Sequence, residues 1–560
     1  MADQDSVNLV YKVMFGADVT VPMLDNGNSG DGASGDGVYG ATIPAQTAST
    51  LVRFKVEATN TEGTASSPSV DDSMNYHGYM VQDPSVTSNA PIINWFMDDA
   101  DYADMLANHR EDNVYIPSVV VYGNKVYDNS KVRIRGDLSR YEAKLSYKFK
   151  LPSGSVIQPA GANLPISEFN LKAVAKHSNL AAVAAYWWAY QQAGFDIPDV
   201  FPSRLQKNGQ FEGAYFYVDK YDKEWQAAND YDDGVLYKAG EDAVASDEDG
   251  SEWVDFRNQI TAFDRKDPAK TDHFLDTLDM PGLLNYMAAS SSIGANDTSD
   301  QHNSLIYVNR DTNRWKYIPW DMDGTGGGKA NLSPYDLDGD WGLDIVFLLG
   351  TVQQNPELRD LYLRRLRSLV DKLYAPTNNL YQRFEQVADT QLVDTNLDLN
   401  KWPVANNYGS NTITFARPSD QDYRNGILSN YFRHQKNYAG YQRIPGGLPP
   451  SQTDSERQQV SISEANYDAN PANEYIKLDN AANTAVDISD WYIEGIDYTI
   501  PAGAVIPANG SIYILKADKD YRASHPSVLV AGQYSTGLGS GGGNLTIKTD
   551  SNLEIDSHAY

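Results

Sequence analysis

Two clusters of oxygen-bearing side chains in the segment 294–327 could bind a divalent cation. A polar loop carries Asp297 and Asn303, and Asp321 and Asp323 follow further on, just before the glycine-rich stretch "GTGGG". Magnesium favours carboxylate, amide and water oxygens, which these side chains supply. The alternative is a set of solvated turns, because aspartate and asparagine are common turn residues.

The order of these groups along the chain matches the order of the catalytic parts of a protein kinase. The loop with Asp297 and Asn303 comes first, a β-hairpin predicted at 304–319 follows, and the two aspartates come after it. In kinases a loop aspartate positions the acceptor hydroxyl, and an asparagine with a later aspartate holds magnesium against the nucleotide phosphates. The order therefore favours phosphoryl transfer.

A second predicted hairpin, at 131–151, has one basic and one apolar face, because alternate side chains of a strand lie on opposite faces. The basic face collects six residues: Lys131, Arg133, Arg135, Lys144, Lys148 and Lys150. Phosphate is the simplest ligand for this face, since arginine binds it bidentately and lysine binds it as a point charge. The alternative is a half-exposed hairpin whose lysines protect its surface.

The composition argues against several classes of protein. The net charge is -30, from 75 acidic and 45 basic residues, which argues against a nucleic-acid partner. Cysteine is absent, so disulfides, thiolate metal sites and a cysteine nucleophile are excluded. No apolar run approaches the ~20 residues that span a bilayer. The N-terminal residues predict that a signal peptide is missing or already removed.

The elements that must position these groups fall into three parts. The first ~85 residues alternate like β-strands. They include a glycine-rich segment in which Asp25, Asp31 and Asp36 could coordinate calcium, or which is a chain of turns. Strands and helices mix from 92 to 446, with Gly194 predicted to end one helix and Asp279 to begin another. The remainder, from about residue 460, is predicted to be β-structure again.

The matching stretches resemble the spore-coat protein H (CotH) kinase family, an atypical branch of the protein kinase-like enzymes. The most specific pieces are "WDMD" after a hairpin and "NGQFEGAYFYVD"; "RIRGDLSRYEAKLSYKFKL" and "NPELRDLYLRRLRSLVDKLY" also match. The C-terminal stretch "SISEANYDANPANEYIKLDN" resembles a lamin-tail domain, a small immunoglobulin-like sandwich. The N-terminal segment is similar to β-sandwich modules that often precede such kinase domains.

The resemblance implies a multi-domain protein. Its central domain would be an α+β atypical protein kinase-like domain, flanked by all-β immunoglobulin-like sandwich domains. The implied boundaries are a β-sandwich module of immunoglobulin or fibronectin type at 1–85, the CotH kinase-like domain at 92–446 and the lamin-tail domain at 459–560.

The resemblance also implies transfer of the γ-phosphate of ATP to Ser or Thr of a surface or coat protein, or of the protein itself, with Mg²⁺ or Mn²⁺. Asp297 would be the catalytic loop acid. Asn303, Asp321 and Asp323 would hold the metal. The candidates for binding the nucleotide phosphates are Arg135, Lys144, Lys148, Lys172 and Lys238.

The chain departs from the family pattern at two of these places. Five residues separate Asp297 from Asn303, where ordinary kinases have four. Leu145 follows Lys144, where the family often has a second lysine. The alternative to an enzyme is therefore an inactive kinase-like scaffold that serves as a structural or adhesion protein. Both interpretations predict an extracellular, cell-surface or virion location, protein partners, self-association through the β-sandwich domains, and neither nucleic acid nor a membrane span.

Overall fold

The computed structural model describes residues 6–174, 181–238, 243–244, 246–262, 268–293, 295, 304–322, 325, 352, 355–402, 404–406, 413–415 and 448–560. The chain forms two compact units. The first unit comprises residues 1–184, 198–220 and 385–424, and the second comprises 185–197, 221–384 and 425–560. The central region mixes helices and strands, and both ends of the chain form all-β sheets, as the sequence predicts. The predicted domain boundaries stay predictions.

The N-terminal part of the first unit is an antiparallel sheet. Its strands are β1 (Ser6–Val13), β2 (Val19–Pro22), β3 (Leu51–Asn60), β4 (Gly63–Ser67) and β5 (His77–Met80). Their order is β2-β1-β3-β4, and β5 also pairs with β3. These strands confirm the β-structure that alternation predicts for the first ~85 residues.

A closed barrel follows in the first unit. Its strands are β6 (Ile92–Phe96), β7 (Ile116–Tyr122), β8 (Lys125–Arg135), β9 (Ser146–Lys150), β10 (Glu168–Lys172), β11 (Val200–Lys207) and β12 (Gln210–Val218), with helix α1 (Asp99–Asn108) after β6 and a 3-10 turn at Leu138–Tyr141. The strand order is β10-β12-β11-β6-β7-β8-β9. Aromatic side chains fill the interior, among them Trp95, Tyr147, Phe149, Phe169 and Tyr217. Alternation along β9 sends Tyr147 and Phe149 inward and leaves Lys148 and Lys150 outside.

Helix α2 (Ala182–Gln192) ends where the sequence predicts. Gly194 has a left-handed backbone, with φ +92°, and its N–H donates to the carbonyl of Gln191 at 2.9 Å. The N–H of Phe195 donates to the carbonyl of Tyr190 at 3.1 Å. These two bonds are a Schellman motif, which satisfies the last carbonyls of a helix and favours glycine at this position.

Between Tyr221 and Leu373, the described residues of the second unit form a three-stranded antiparallel sheet and five helices. These elements are α3 (Lys223–Ala228), β13 (Gly234–Lys238), α4 (Ser251–Ala262), α5 (Pro268–Thr277), α6 (Met280–Ile293), β14 (Ser304–Asn309), β15 (Arg314–Pro319) and α7 (Pro356–Leu373). The sheet order β13-β14-β15 includes the hairpin predicted at 304–319. Asp279 caps α6 as predicted, because its carboxylate accepts the N–H of Gly282 at 3.1 Å.

Helix α8 (Leu380–Lys401) packs on the barrel, and a two-stranded ribbon, β16 (Val404–Asn406) and β17 (Ile413–Phe415), follows it. The C-terminal part of the second unit contains two four-stranded sheets and a two-stranded pair. Its elements are α9 (Asp454–Arg457), β18 (Val460–Asn466), a 3-10 turn at Pro471–Asn473, β19 (Tyr475–Asn480), β20 (Val486–Asp487), β21 (Tyr492–Glu494), β22 (Tyr498–Thr499), β23 (Val505–Ile506), β24 (Ser511–Leu515), α10 (Asp518–Ser524), β25 (Val530–Gln533), β26 (Asn544–Lys548) and β27 (Glu554–Ala559). An isoleucine-rich core joins the sheets. Within the described parts of the chain, no helix has the length and apolar character needed to cross a bilayer.

Candidate functional site

The predicted basic face is present on strands β8 and β9. Lys131 lies opposite Lys150, and Arg133 lies opposite Lys148. Directly opposed residues of an antiparallel pair share a face, and like charges placed in this way repel each other. The face therefore needs anionic groups, from the protein or from a ligand, to be stable.

Glu168 supplies part of that negative charge. It is the first residue of β10, where it lies opposite Lys150, and its carboxylate is 3.2 Å from the Lys150 ammonium. The ammonium groups of Lys148 and Lys220 lie 3.1 and 3.5 Å from the same carboxylate. Burial raises the pKa of Glu168, but the charges of Lys148 and Lys220 and the hydrogen bonds of the lysines outweigh it and lower that pKa to about 2. Glu168 is therefore ionised, and it offsets one positive charge at the exposed end of the basic face.

Lys144 lies in a different environment, although it belongs to the same predicted face. Its side chain is only 1% exposed, and its ammonium is 2.8 Å from a carboxylate oxygen of Asp398 on α8. The ammonium also donates to the carbonyl of Ala214 and lies 4.6 Å from the centroid of the Tyr215 ring. Lys144 and Asp398 therefore form a fully desolvated ion pair, which is stable because each charge also has hydrogen-bonding partners.

The Lys144–Asp398 pair lies beside the part of β12 that, among the described residues, has no hydrogen-bonded partner strand on the β10 side. Strand β10 pairs with β12 only at residues 216–218, so the backbone of residues 211–215 needs other partners on that side. Helix α8 provides them. Asp398 accepts the N–H of Ala214 at 3.0 Å, and Gln391 donates to the carbonyl of Tyr215 at 3.1 Å. Lys401 donates to the carbonyl of Phe211 at 2.7 Å.

Gly213 makes room for the ion pair. A Cβ atom at this position would lie 2.8 Å from the Asp398 carboxylate and 2.8 Å from Cε of Lys144, closer than side chains tolerate. Gly213 belongs to the stretch "NGQFEGAYFYVD", one of the pieces that resembles the CotH family most specifically. The close packing explains why this position requires glycine.

A second buried carboxylate lies one turn earlier on α8. Asp394 is 3.1 Å from the guanidinium of Arg204 on β11, and it accepts a hydrogen bond from the hydroxyl of Ser88. Burial raises the pKa of Asp394 above its usual value. Helix α8 thus contacts the barrel through two buried aspartates, and each of them neutralises one basic side chain. No pattern in the sequence distinguished Asp394, Asp398 or Glu168 as functional residues.

The other predicted phosphate-binding residues lie at strand ends. Arg135 is the last residue of β8 and is half-buried, and Lys172 is the buried last residue of β10. Lys238 ends β13 in the second unit and is half-buried. The structure leaves their roles as predictions.

Asp321 is the described member of the predicted metal and catalytic set. It follows β15, and its backbone is left-handed, with φ +52°. The hydroxyl of the buried Tyr221 donates to the carbonyl of Pro319 at 2.8 Å and fixes the end of β15. Aspartate and asparagine adopt left-handed backbone more readily than most other residues, and several other aspartates and asparagines of the chain do so as well. Burial of Met322 fixes the following residue.

Asp297, Asn303 and Asp323 lie outside the described residues, so their predicted convergence with Asp321 stays a prediction. Within the described ranges, no group of three or more His, Cys, Asp or Glu side chains is arranged to hold a metal ion.

The acidic N-terminal loop is ordered by its own backbone. The buried carboxylate of Asp31 accepts the N–H groups of Gly27 and Ser29, each at 2.7 Å. Desolvation raises the pKa of Asp31, but the backbone bonds together lower it below its usual value. Asp25 and Asp36 each accept two further N–H groups of the loop. These bonds favour the chain of turns, and calcium binding stays a prediction.

Comparison with known proteins supports the two resemblances predicted from the sequence. Residues 132–391 match the family described as CotH kinase protein, and residues 453–560 match the Lamin Tail Domain. Among solved structures, the chain is similar to the "Twitchin kinase region from C.elegans (Fn31-NL-kin-CRD-Ig26)", at 10% identity over 99% of this chain and 93% of that chain. The TM-score of 0.18 is too low to relate the two folds. No curated protein matches the chain.

Proposed function

We propose that the protein is an atypical protein kinase-like enzyme that transfers the γ-phosphate of ATP to Ser or Thr of a surface or coat protein, or of its own chain. The observation that carries the proposal is the buried pair of Lys144 and Asp398, in a chain whose residues 132–391 match the CotH kinase family. Protein kinases also need a lysine held by a helix carboxylate; theirs lies on a strand, whereas Lys144 lies just before β9.

The pair supports this function because it holds the positively charged Lys144 side chain in one position before ATP binds. The carbonyl of Ala214, the ring of Tyr215 and the carboxylate of Asp398 together hold the Lys144 ammonium. A charge held in a desolvated setting stabilises phosphoryl transfer more strongly than a mobile surface lysine, because it needs no reorganisation during the reaction. Catalysis would then come from positioning and charge neutralisation.

ATP with Mg²⁺ or Mn²⁺ would supply the phosphoryl group and neutralise its charge. In this proposal Asn303, Asp321 and Asp323 hold the metal, and Asp297 orients the acceptor hydroxyl. Carboxylate and amide oxygens suit magnesium, and Asp321 directly follows β15, as a metal-binding aspartate would. Lys172, Lys238 and Arg135 are further candidates for contacting the phosphates.

The second candidate function is an inactive kinase-like scaffold at a cell surface, in a virion or outside the cell. One observation favours it: the Glu168 carboxylate already pairs with Lys148, Lys150 and Lys220, which offsets one of their three positive charges and leaves less of the basic face for a triphosphate. In that case the β-rich ends of the chain would carry the function, through protein partners or self-association.

Incubation with γ-labelled ATP and Mg²⁺ or Mn²⁺ separates the two functions. The wild-type protein should incorporate label into Ser or Thr, located by mass spectrometry, and Asp321→Ala should lose nearly all incorporation. Labelling that survives Asp321→Ala would refute the role of that aspartate. Absence of labelling in the wild-type protein with either metal, on itself and on candidate coat proteins, would favour the scaffold.

A further inference from the structure

The C-terminal region 453–560 contacts the helices of the second unit through a buried polar network centred on Arg365 of α7. The guanidinium of Arg365 donates to Asp487 at 3.2 Å and to the hydroxyl of Ser489 at 2.9 Å, both in the C-terminal region. It also donates to the side-chain carbonyl of Asn285 on α6 at 2.9 Å and to the carbonyl of Ala193 at 3.0 Å. A buried cation with this many fixed partners belongs to a permanent contact, because separation would remove the Asp487 carboxylate that balances its charge.

Beside this network, the backbone of the C-terminal region lies directly on the first turn of α6. Gly503 is left-handed, with φ +93°, and a Cβ atom there would overlap the carbonyl of Pro281 and lie 2.8 Å from Cβ of Asn285. A Cβ on Gly194, at the end of α2, would lie 2.6 Å from Cβ of Ala502. Because both positions lack a Cβ atom, the C-terminal region packs against the ends of α2 and α6 as closely as elements pack within one domain.

A second buried ion cluster joins the C-terminal region to strand β15. Arg314, the first residue of β15, donates to both carboxylate oxygens of Asp518, at 2.6 and 3.3 Å. Arg522 donates to Asp518 at 2.8 Å and to the carbonyl of Thr312, in the turn between β14 and β15, at 2.5 Å. Arg522 also donates to the carbonyl of Asp276 on α5. Asp518 thus pairs with one arginine from each side of the contact.

These contacts involve the two elements that lead to the candidate catalytic residues. Helix α6 ends at Ile293, shortly before Asp297, and β15 ends at Pro319, shortly before Asp321. We propose that the lamin-tail region is a fixed brace that positions α6 and β15, and not a mobile binding module attached to an enzyme. The docking stands on the contacts alone, whereas its effect on catalysis rests on the proposed function.

The docking is tested on the full chain by hydrogen exchange in Gly503→Ala. The added methyl group collides with the first turn of α6, so exchange in α6 and β15 should accelerate about tenfold, as a loss of local stability does. Gly154→Ala is the matched control, because Gly154 is also left-handed, at φ +73°, but has open space around its Cβ position. In Gly154→Ala, the amide exchange rates of α6 and β15 should equal those of the wild-type protein.

Unchanged exchange in α6 and β15 of Gly503→Ala, with faster exchange confined to β18–β27, would overturn the brace. Where Gly503→Ala does not fold, Arg314→Lys tests the other contact, because lysine keeps the charge but cannot donate two parallel bonds to Asp518. Exchange should then rise in β15 and stay unchanged in β19 and β24. Unchanged exchange in β15 would again overturn the proposal.

The catalytic effect is measured separately, by steady-state kinetics of phosphoryl transfer. Gly503→Ala and Arg314→Lys should lower kcat at least fivefold and leave KM for ATP within twofold, because they displace α6 and β15 rather than remove a ligand. An unchanged kcat alongside altered exchange would overturn the positioning role but keep the docking. A wild-type protein without activity would refute the proposed function, while the exchange data would still decide the docking.

Discussion

Lys144 and Lys148 belong to the same face in the alternating sequence before and within β9, but their environments in the structure differ. Lys144 is enclosed between β12 and α8 against Asp398, with a side chain that is 1% exposed. Lys148 lies on the outer surface of the barrel against Glu168, with 21% of its side chain exposed. A charge pattern thus identifies the face of a strand but not the dielectric around each charge, and the dielectric decides how strongly each pair contributes.

The largest effect is expected from Asp398→Asn. The substitution leaves the buried Lys144 without its carboxylate, so the free energy of unfolding should fall by about 3–5 kcal/mol. Urea unfolding followed by circular dichroism measures it. A loss below about 1 kcal/mol would contradict the assignment of this pair as fully desolvated, because that is the range of exposed pairs.

Asp394→Asn is the matched control for function. It removes a buried aspartate of the same helix that pairs with Arg204 instead of Lys144, so it should also destabilise the barrel. ATP affinity, measured by titration calorimetry below the unfolding temperature, should fall at least tenfold in Asp398→Asn and stay within twofold in Asp394→Asn. Equal losses in both variants would make Lys144 a purely structural residue.

A smaller effect is expected from Gly213→Ala. The added Cβ would press on both partners of the Lys144 pair, and overpacking of this kind costs about 1–3 kcal/mol. Scanning calorimetry should show a lowered Tm. Gly541→Ala is the control, since its Cβ position has no neighbour within 4 Å, and it should leave Tm nearly unchanged.

Glu168→Gln should destabilise the exposed cluster by about 1–2 kcal/mol at pH 7, because three lysines lose their carboxylate. The pKa of Glu168 is about 2 in the folded protein, against 4.5 for an unperturbed glutamate. A lowered pKa contributes stability above about pH 4.5 that is lost as pH falls towards 2. The wild-type and variant stabilities should therefore converge over that window in urea unfolding at a series of pH values, and a constant difference down to pH 2 would contradict the shift.

The smallest effect is expected on anion binding. Glu168→Gln frees the basic face, so affinity for inorganic triphosphate should rise about threefold at low salt and less at high salt, as for other partly exposed charges. Glu57→Gln is the control, because it makes the same charge change beside Lys55 on the N-terminal sheet. An equal rise in both variants would indicate a general charge effect and not a phosphate-binding face.

Local patterns predicted the local structure. Alternation predicted the hairpin at 131–151, and two short strands joined by a turn predicted the one at 304–319. The residue types at Gly194 and Asp279 predicted two helix ends. All these features depend on neighbours within a few positions. The resemblance to the two families could also be recognised from the sequence, since it rests on short motifs. The catalytic and metal roles of Asp297, Asn303, Asp321 and Asp323 stay predictions.

The sequence by itself therefore determined which residues alternate, where several elements begin and end, and which families the chain resembles. Only the tertiary structure decided that Lys144 meets Asp398, that Glu168 neutralises Lys148, and that the C-terminal region packs on α6 and β15. The physical reason is that these contacts join segments far apart in the chain. Their pairing depends on how whole elements pack and exclude water, which no local period or motif specifies.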